Sequence, residues 1–387
     1  MKKIIKKTLP LILVLSIIST AQIITPKSIT LSKNSYYSAY PNGFIKLVSA
    51  RADADSVNTE NVGKSTLSAK LFGYLPVKSV EVSVLPEKSV IPSGKPIGIR
   101  LYSDGVMVVD IVSGEPADLS GIKKGDIIAA VNSTPCRTLE DLASQLAKNS
   151  SNTLSVCSDG ENKTVTLNGK KTDFGYTVGM WVRDSAAGIG TMTFYNQETQ
   201  VFGALGHPIC DVDTKNTVLV SDGSIADCNI FSAKCGKRGE PGELIGTIAK
   251  NHIGTVLANN QFGIFGIADV QDGTPIPVAT KFMVKEASAQ ILCDVGDGTR
   301  PYDIYIEHVS PQKSDSNKAM VIKITDEALI SKTGGIVQGM SGAPIVQDGR
   351  FVGAVTHVFV DDPTKGYAIF AETMLDFTEN NPVFDKT

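Results

Sequence analysis

One serine near the end of the chain stands in a string whose residue types could support nucleophilic chemistry. Ser341 lies in GMSGAPIV, residues 339–346, between glycines that allow a tight turn. A serine hydroxyl becomes a useful nucleophile only when a base takes its proton, and the resulting oxyanion needs backbone N–H donors placed beforehand. Glycines expose such donors beside the hydroxyl, and Pro344 stiffens the exit from the turn. The string therefore predicts a serine nucleophile.

The residues behind Ser341 are predicted to form a β-hairpin. Residues 345–357 read as strand, turn and strand, with the turn in the sequence QDGR. This layout resembles that of chymotrypsin-like serine peptidases, in which a hairpin behind the nucleophile returns a strand along the substrate cleft. By that resemblance, the N–H groups of Gly339 and Ser341 would form the oxyanion hole, and Thr356 and His357 would line the cleft.

The base for such a nucleophile would be a histidine, and the chain has four. His207 ends a predicted strand at a glycine turn, in FGALGHPI, and precedes Ser341 by a long interval, as the chymotrypsin order requires. His252 lies in a polar turn and His308 in an alternating strand, so neither is favoured. The sequence predicts His207 as the base, with His357, in the strand after the serine, as the alternative.

The carboxylate that would orient the imidazole is not identified by spacing. Asp326 lies fifteen residues before Ser341, whereas Asp211 and Asp213 lie close to His207 in the sequence. Each of these three aspartates could equally be a surface charge or a turn cap. On the residues alone, the third member of a triad is left open.

Residues 80–170 combine short strands with two short helices. The order is three strands, beginning at 80–84, then a short helix closed by glycine, a buried strand, a capped helix and two more strands. The strings PADLSGI and KGDII resemble a PDZ domain of the bacterial protease type. By that resemblance, Ile97, Gly98 and Ile99 would bind a peptide C-terminus while the peptide adds a strand to the sheet edge. The alternative is a plain structural strand that contains a glycine.

The N-terminal region reads as an export segment followed by a linker. Four lysines precede an apolar run over residues 9–24, which is the pattern of an export signal. No clear cleavage site follows, so residues 1–25 are expected to be an uncleaved membrane anchor, with a cleaved signal as the alternative. Residues 26–79 are polar and are expected to form a flexible linker that a protease would cut readily.

The composition limits the classes of function. A net charge of -3 gives no reason to expect a nucleic-acid binder, because such proteins usually carry a basic face. The six cysteines form no CxxC pair or Cys/His cluster with zinc-ligand spacing, so no metal and no cofactor are predicted. Cys228 and Cys235 could be bridged in an oxidising space, but buried apolar thiols are the favoured interpretation. Residues 175–387 are rich in short strands and glycine turns, which predicts an all-β double barrel or sandwich.

Four strings along the chain resemble those of one family. They are GHPICDVDT at 206–214, GEPGEL at 239–244, TGGIVQGMSG at 333–342 and GAVTHVF at 353–359. With the anchor, linker and PDZ-like module, they are similar to the stage IV sporulation protein B peptidases of endospore formers. Ala343 is a departure, because family members often have serine there. The resemblance covers nearly the whole chain and implies a mainly β fold, with a PDZ-like α/β module at 80–170 before a chymotrypsin-like double-barrel peptidase at 175–387.

The resemblance also implies a function. It carries over His207, Asp326 and Ser341 as the catalytic triad, and so supplies the argument for Asp326 that spacing lacks. Members are regulatory serine endopeptidases that enter the space between the two forespore membranes, cut their own N-terminal region, and then cut a membrane-bound inhibitor of an intramembrane protease. The PDZ module would hold the enzyme, bind peptide C-termini and present targets. Two rival hypotheses are a catalytically silent PDZ adaptor at the forespore membrane and a self-cleaving protein with no other substrate.

Overall fold

The computed structural model describes residues 2–38, 44–48, 57–158, 160–173, 175–218, 220–270, 273–313 and 315–384. The predicted export segment forms one helix, α1 (Lys2–Ile24). Over the described ranges, no helix is both long enough and apolar enough to span a bilayer. Export and membrane anchoring of this segment stay predictions.

Strands make up most of the regular structure in the described residues. The remaining helices are α2 (Pro116–Leu119), α3 (Leu139–Leu146), α4 (Glu327–Thr333) and α5 (Ala371–Glu379), with a 3-10 turn at Pro311–Lys313. The strands are β1 (Ser28–Ser32), β2 (Ile45–Val48), β3 (Gly63–Leu71), β4 (Leu75–Leu85), β5 (Ser89–Pro92), β6 (Pro96–Ile111), β7 (Ile127–Val131), β8 (Thr134–Pro135), β9 (Ser151–Ser158), β10 (Glu161–Asn168), β11 (Lys170–Thr172), β12 (Gly175–Thr177), β13 (Met180–Tyr195), β14 (Val201–Ala204), β15 (Asp222–Lys234), β16 (Glu243–Ile248), β17 (Gly254–Asn260), β18 (Gly263–Ala268), β19 (Ile276–Pro277), β20 (Ser288–Cys293), β21 (Arg300–Val309), β22 (Met320–Ile324), β23 (Pro344–Gln347), β24 (Arg350–Phe359) and β25 (Asp362–Phe370).

The segment predicted to be a linker contains a folded sheet. Strands β1 to β4 form a four-stranded sheet in the order β1-β4-β3-β2. Alternate residues of these strands, such as Leu31, Ala69 and Val80, are fully buried in a common apolar core. The expectation of a flexible linker over 26–79 is therefore wrong for the described part, because its scattered apolar residues fall on one face of each strand. Residues 39–43 and 49–56 of that predicted linker lie outside the described residues.

Six strands close into a first barrel. β6 pairs with β15, and the ring continues through β17, β18 and β14 to β13, which pairs back with β6. The barrel interior packs Ile97, Ile99 and Leu101 of β6 against buried residues of the other strands, among them Phe202 and Ile264. The first half of β6 is therefore part of this barrel, although it precedes residue 175, the predicted start of the β-rich domain.

The three residues predicted to bind a peptide C-terminus lie within this barrel wall. Gly98 pairs with Ile189 of β13 on one side and with Ala226 of β15 on the other, and Ile97 and Ile99 are paired in the same way. A peptide can add only to an unpaired strand edge. The binding role predicted for Ile97, Gly98 and Ile99 is therefore wrong, and the structure gives these residues the role of a structural strand.

The PDZ-like module is inserted into the first barrel and does not simply precede it. Beyond the barrel, residues 106 and 107 of β6 pair with β7, and the chain returns along β13, whose residues 180–183 pair with 107–111. The module has its own apolar core, and the predicted cap is confirmed, because the Thr138 side chain accepts from a backbone amide at the start of α3. Residues 80–84, predicted as the first strand of the module, belong to β4 of the N-terminal sheet.

A second barrel closes from β20, β21, β22, β25, β24 and β23, in that order. Its interior is filled by branched aliphatic and aromatic residues from all six strands. The hairpin predicted behind Ser341 is confirmed: β23 and β24 are joined at Asp348 and Gly349, which have φ values of 51° and 74°. Positive φ at both turn positions suits a two-residue hairpin. The prediction of a mainly β fold with a double barrel is likewise confirmed.

None of the six cysteines is in a disulfide. Cys136 and Cys293 are buried, as expected of apolar thiols, whereas Cys210 and Cys235 are exposed. Cys228 lies opposite Ile248 of β16, and the Cys235 thiol donates to the carbonyl of Lys332. The bridge considered between Cys228 and Cys235 is absent.

The pairing of Gly98 on both sides predicts that its lack of a side chain supports the fold. A Cβ at Gly98 would overlap the Cγ2, Cγ1 and Cβ atoms of Ile248. Gly98→Ala should therefore lower the free energy of unfolding by about 1–3 kcal/mol, as overpacked cores do. The matched control is Gly188→Ala on the adjacent strand, where a Cβ meets open space and the change should stay within about 0.5 kcal/mol. Urea unfolding of both variants checks this, and equal midpoints would contradict the strand assignment.

Candidate active site

Ser341 lies in the loop between α4 and β23, at the seam between the two barrels. Gly342 has a φ of 94°, in the left-handed region, and a Cβ there would overlap the carbonyl oxygen of Thr191 and approach the amide nitrogen of Leu205. Only glycine fits this position, because two backbone segments of the first barrel come directly against it. The amide of Thr191 also donates to the carbonyl of Ser341 at 3.1 Å. The nucleophile loop of the second barrel is therefore docked onto the first.

The two amides predicted to form the oxyanion hole are not used elsewhere. Of the amides around Ser341, those at positions 340, 342 and 343 donate to backbone carbonyls. Among the hydrogen bonds of the described residues, none uses the amide of Gly339 or of Ser341. The hydroxyl of Thr191 donates to the carbonyl of Gly339 at 2.7 Å and so helps to fix that peptide group. Two N–H donors are left beside the hydroxyl, which is what an oxyanion hole needs.

His207 follows a tight turn at the end of β14. Leu205 and Gly206 have φ values of 70° and 69°. The left-handed region costs a residue other than glycine about 1–2 kcal/mol, so the conformation of Leu205 marks a turn that the surrounding structure holds in place. Nδ1 of His207 lies 2.8 Å from the carbonyl oxygen of Pro208. Because a carbonyl oxygen can only accept, Nδ1 carries the proton and Nε2 keeps its lone pair.

Two neighbouring residues of β24, Thr356 and His357, contact both halves of the site. One half is the turn before His207, and the other is the hydroxyl of Ser341. Oγ of Ser341 donates to the carbonyl of Thr356 at 2.9 Å. The ring centroids of His207 and His357 lie 5.0 Å apart, and a Cβ on Gly206 would lie 2.8 Å from Cγ2 of Thr356. The structure thus brings the two predicted catalytic residues to the same pair of neighbours. No hydrogen bond joins them directly in the described part of the chain.

Burial keeps both histidines of this seam neutral. It lowers the pKa of His207 below its ordinary value of 6.5, and the bond to Pro208 offsets only part of that shift. Burial, then the neighbouring His207 and Lys318, lower the pKa of His357 to about 4. Nδ1 of His357 is buried without a hydrogen-bond partner. Both imidazoles are therefore uncharged at pH 7, which is the form in which a base accepts a proton.

Asp326 makes no described contact with His207 or Ser341, so the geometry gives no support to its predicted role in a triad. It is the N-cap of α4, where its carboxylate accepts from the amide of Leu329 at 2.9 Å and from that of Asp303 at 3.5 Å. No carboxylate is among the groups that shift the pKa of His207. Asp326 therefore has the capping role that aspartate often takes at a helix start. The Nδ1 proton of His207 is held by a backbone carbonyl instead.

The two other aspartates considered for His207 pair with an arginine. Arg183 donates to Asp211 and to Asp213, each at 2.8 Å. Burial by itself would raise the pKa of Asp211, but bonds from Thr214 and Asp213, together with Arg183, hold that pKa below its ordinary value. Neither carboxylate bonds to an imidazole within the described ranges.

Three groups that build the site were not foreseen from the sequence. They are the side chain of Thr191 and the carbonyl groups of Pro208 and Thr356. Backbone carbonyls give no side-chain signal, and Thr191 looks like any threonine of a β-strand. Only the position of Pro208 directly after His207 could have pointed to its carbonyl.

The groups at the seam are those of acyl transfer by a serine nucleophile. A hydroxyl, a neutral imidazole with a fixed tautomer and two amides that make no other bond in the described chain occur together at this seam. Among the described residues, no three histidine, cysteine, aspartate or glutamate side chains are grouped as metal ligands.

Comparisons with known proteins find a family for each of two parts of the chain. Residues 174–375 match the SpoIVB peptidase S55 family, which is just over half of the chain, and residues 89–168 match the PDZ domain family. Among solved structures, the chain is similar to the crystal structure of the Rv3671c protease from M. tuberculosis in its active form. That similarity has 12% sequence identity and a TM-score of 0.31, and it covers 49% of this chain and 72% of that one. No curated protein matches the chain.

The burial of His207 predicts that activity extends below pH 6.5. Ser341 should react with a fluorophosphonate only while His207 is neutral, and burial lowers the pKa of His207 from 6.5. The rate constant for labelling should therefore fall to half its plateau at a pH below 6.5. The folded state should also lose stability as the pH falls below 6.5, because the unfolded chain binds the proton more readily. His207→Ala should abolish labelling at every pH, and a midpoint above pH 6.5 would contradict the assignment.

The position of Asp326 predicts that Asp326→Asn keeps its activity. Asparagine caps a helix about as well as aspartate, so α4 and the labelling rate of Ser341 should change little. In a Ser-His-Asp triad, the same change costs about 10⁴-fold. Asp326→Ala is the control for the cap and should cost about 0.5–2 kcal/mol of stability. A loss of labelling of that larger size in a folded Asp326→Asn protein would return Asp326 to the catalytic machinery.

Proposed function

Because the chain belongs to the SpoIVB peptidase S55 family and is a serine endopeptidase, we propose that it is a regulatory enzyme of endospore formation. It cuts its own N-terminal region and then a membrane-bound inhibitor of an intramembrane protease, and so activates that protease. The observation that carries the enzymatic part is the seam at Thr356 and His357, which the hydroxyl of Ser341 and the imidazole of His207 both contact, beside two amides that make no other bond within the described part of the chain. Family membership supports the regulatory part.

The reaction runs through an acyl-enzyme. The hydroxyl of Ser341 turns from the carbonyl of Thr356 toward Nε2 of His207, which takes its proton as the oxygen attacks the peptide carbonyl. The amides of Gly339 and Ser341 donate to the oxyanion of the tetrahedral intermediate. His207 then gives the proton to the leaving amine, and water repeats these steps to release the new carboxyl end. The carbonyl of Pro208 holds the Nδ1 proton and stabilises the imidazolium.

The substrate binds along an open edge of β24. Residues 357–359 pair with β25 on one side, and within the described chain no strand pairs with them on the other. An extended peptide can bond to such an edge as a further strand. The amide of Gly239 donates to the carbonyl of Val360 at 2.8 Å, so the hairpin of β15 and β16 bounds this edge. The cleft is therefore open toward Ser341 and limited at Val360.

Self-cleavage falls between β2 and β3. A peptidase needs an exposed, extended segment that is not held in a sheet. Glu60, Asn61 and Val62 are exposed and lie just before β3, whereas the strands on either side are paired in the N-terminal sheet. A cut here severs α1 from the PDZ and peptidase parts of the chain. We expect it in the space between the two forespore membranes, which the chain reaches through its export segment.

The PDZ domain gives the enzyme a second means of contact with peptides. We propose that this domain binds peptide C-termini and presents targets to the peptidase. Residues 97–99 do not take part, because both edges of that strand are already paired.

The proposed self-cleavage predicts a time-dependent new N-terminus that depends on Ser341. Mass spectrometry of purified protein should show a cut near residues 60–62 in the wild type and none in Ser341→Ala. Ser144→Ala, which alters an exposed serine of α3, is the matched control and should behave as the wild type. Cleavage of Ser341→Ala at the wild-type rate would overturn the peptidase mechanism.

Labelling with a fluorophosphonate and cleavage assays distinguish the two rival hypotheses. A silent adaptor would not be labelled by a fluorophosphonate and would keep its cellular activity in His207→Ala. A protein that cuts only itself would be labelled but would leave the ectodomains of candidate membrane proteins whole.

A further inference from the structure

An arginine pairs with a buried and a partly exposed aspartate in the loop after the base, and the proposed reaction uses none of the three. The guanidinium of Arg183 donates from Nη1 to Asp211 and from Nη2 to Asp213, each at 2.8 Å. The side chain of Asp211 is only 2% exposed, whereas those of Arg183 and Asp213 are 38% and 39% exposed. A buried carboxylate is tolerated in a fold only when it is paired and hydrogen-bonded. The ion pair with Arg183 therefore stabilises the charged carboxylate of Asp211 in its buried position.

The two aspartates lie in the loop that directly follows the base, residues 208–218. The carboxylate of Asp211 also accepts from the amides of Asp213 and Thr214, at 3.0 Å and 2.8 Å. These bonds close the loop into a tight turn around one carboxylate. Arg183 thus holds the side chain around which the loop is built.

The same loop is held on its other side by Asn259 of β17. The Asn259 side chain accepts from the amide of Ile209 and donates to the carbonyls of Ile209 and Val218, at 2.8–2.9 Å. Pro208, whose carbonyl holds Nδ1 of His207, immediately precedes Ile209. The orientation of the base therefore depends on a loop that is fixed at two points, Asn259 and Arg183.

Arg183 comes from the strand that joins the barrel to the PDZ domain. It lies opposite Met107 of β6, where both strands have left the barrel wall. The hydroxyl of Thr214, in the loop after the base, donates to the sulfur of Met107 at 3.7 Å. The loop is therefore seated on the two strands that carry the PDZ domain.

We propose that Arg183 is a positioning residue for the base, an inference that rests on the peptidase function proposed above. Its guanidinium holds Asp211 and Asp213, and through them keeps the carbonyl of Pro208 on Nδ1 of His207. The planar fork of arginine reaches two carboxylates at once, whereas lysine offers one point charge. A shift of the loop by about 1 Å would displace the imidazole from the serine and cost about 10²-fold in reactivity.

Inactivation kinetics with a fluorophosphonate test this role in the full-length protein. The limiting rate, kinact, reports the reactivity of Ser341, and the half-saturating concentration, KI, reports binding. Arg183→Gln should lower kinact by about 100-fold with KI unchanged, and Arg183→Lys should recover part of the loss. Asp213→Asn, which keeps the pair of Arg183 with Asp211, should have a smaller effect. Arg350→Gln is the control, because it removes another arginine–carboxylate pair, with Glu87 at 2.9 Å, that belongs neither to the loop after the base nor to the proposed substrate edge.

The outcomes separate the two proposals. Arg183→Gln leaves Asp211 buried and unpaired, so thermal unfolding must first show that each variant is folded. If Arg183→Gln is not folded, the test rests on Arg183→Lys and Asp213→Asn, which both keep a cation beside Asp211. Wild-type protein that is never labelled at Ser341 would overturn the peptidase function and this role with it. Labelled wild type, with wild-type kinact in folded Arg183→Gln, would overturn only the positioning role; where Arg183→Gln does not fold, wild-type kinact in both Arg183→Lys and Asp213→Asn would overturn it. An increased KI at unchanged kinact would do the same.

Discussion

The close approach of the backbone at Gly342 to that of Thr191 and Leu205 fixes where the two barrels meet, and the site depends on that contact. The nucleophile loop belongs to the second barrel and the turn before His207 to the first, so neither barrel holds the site alone. Thr191 reinforces the contact from both its amide and its hydroxyl, which bind the carbonyls of Ser341 and Gly339. A side chain at position 342 would push the barrels apart and separate the nucleophile from its base, because backbone atoms cannot move aside as a flexible side chain can.

Burial and the carbonyl of Pro208 set the charge and the tautomer of His207, which has no carboxylate partner among the described residues. A carboxylate beside His207 would raise the pKa of the imidazole, whereas a neutral carbonyl fixes the same tautomer with a smaller effect on the charged form. Burial then dominates and lowers the pKa of the imidazole below 6.5, so the base is neutral at pH 7. The cost is that the imidazolium formed during attack is stabilised less than in a triad. This arrangement makes the position of the Pro208 carbonyl, and of the loop that follows it, more important than in an enzyme whose aspartate orients the base directly.

Local signals in the sequence were enough for the nucleophile but not for its surroundings. The string around Ser341 and the hairpin behind it are contiguous, so their turn residues identify them. The partners of Gly98 lie at Ile189 and Ala226, far along the chain, and a strand with a glycine reads the same in a PDZ edge as in a barrel wall. Asp326 precedes a helical segment, which is a capping signal, and only the family resemblance assigned it to catalysis. Pairing between distant segments is set by tertiary packing, which no local pattern records.

The insertion of the PDZ domain within β6 and β13 has a mechanical consequence for the site. A domain joined by one linker can move without disturbing its neighbour, whereas this domain is joined by two paired strands that continue into the barrel wall. The pairing of β6 with β13 extends from the PDZ core to Thr191, the residue that holds the nucleophile loop, with register shifts at residues 181–182 and 183–185. The same strand carries Arg183, which faces the loop after the base. Both halves of the site are therefore attached to one strand, and a displacement of β13 would act on the nucleophile and the base together.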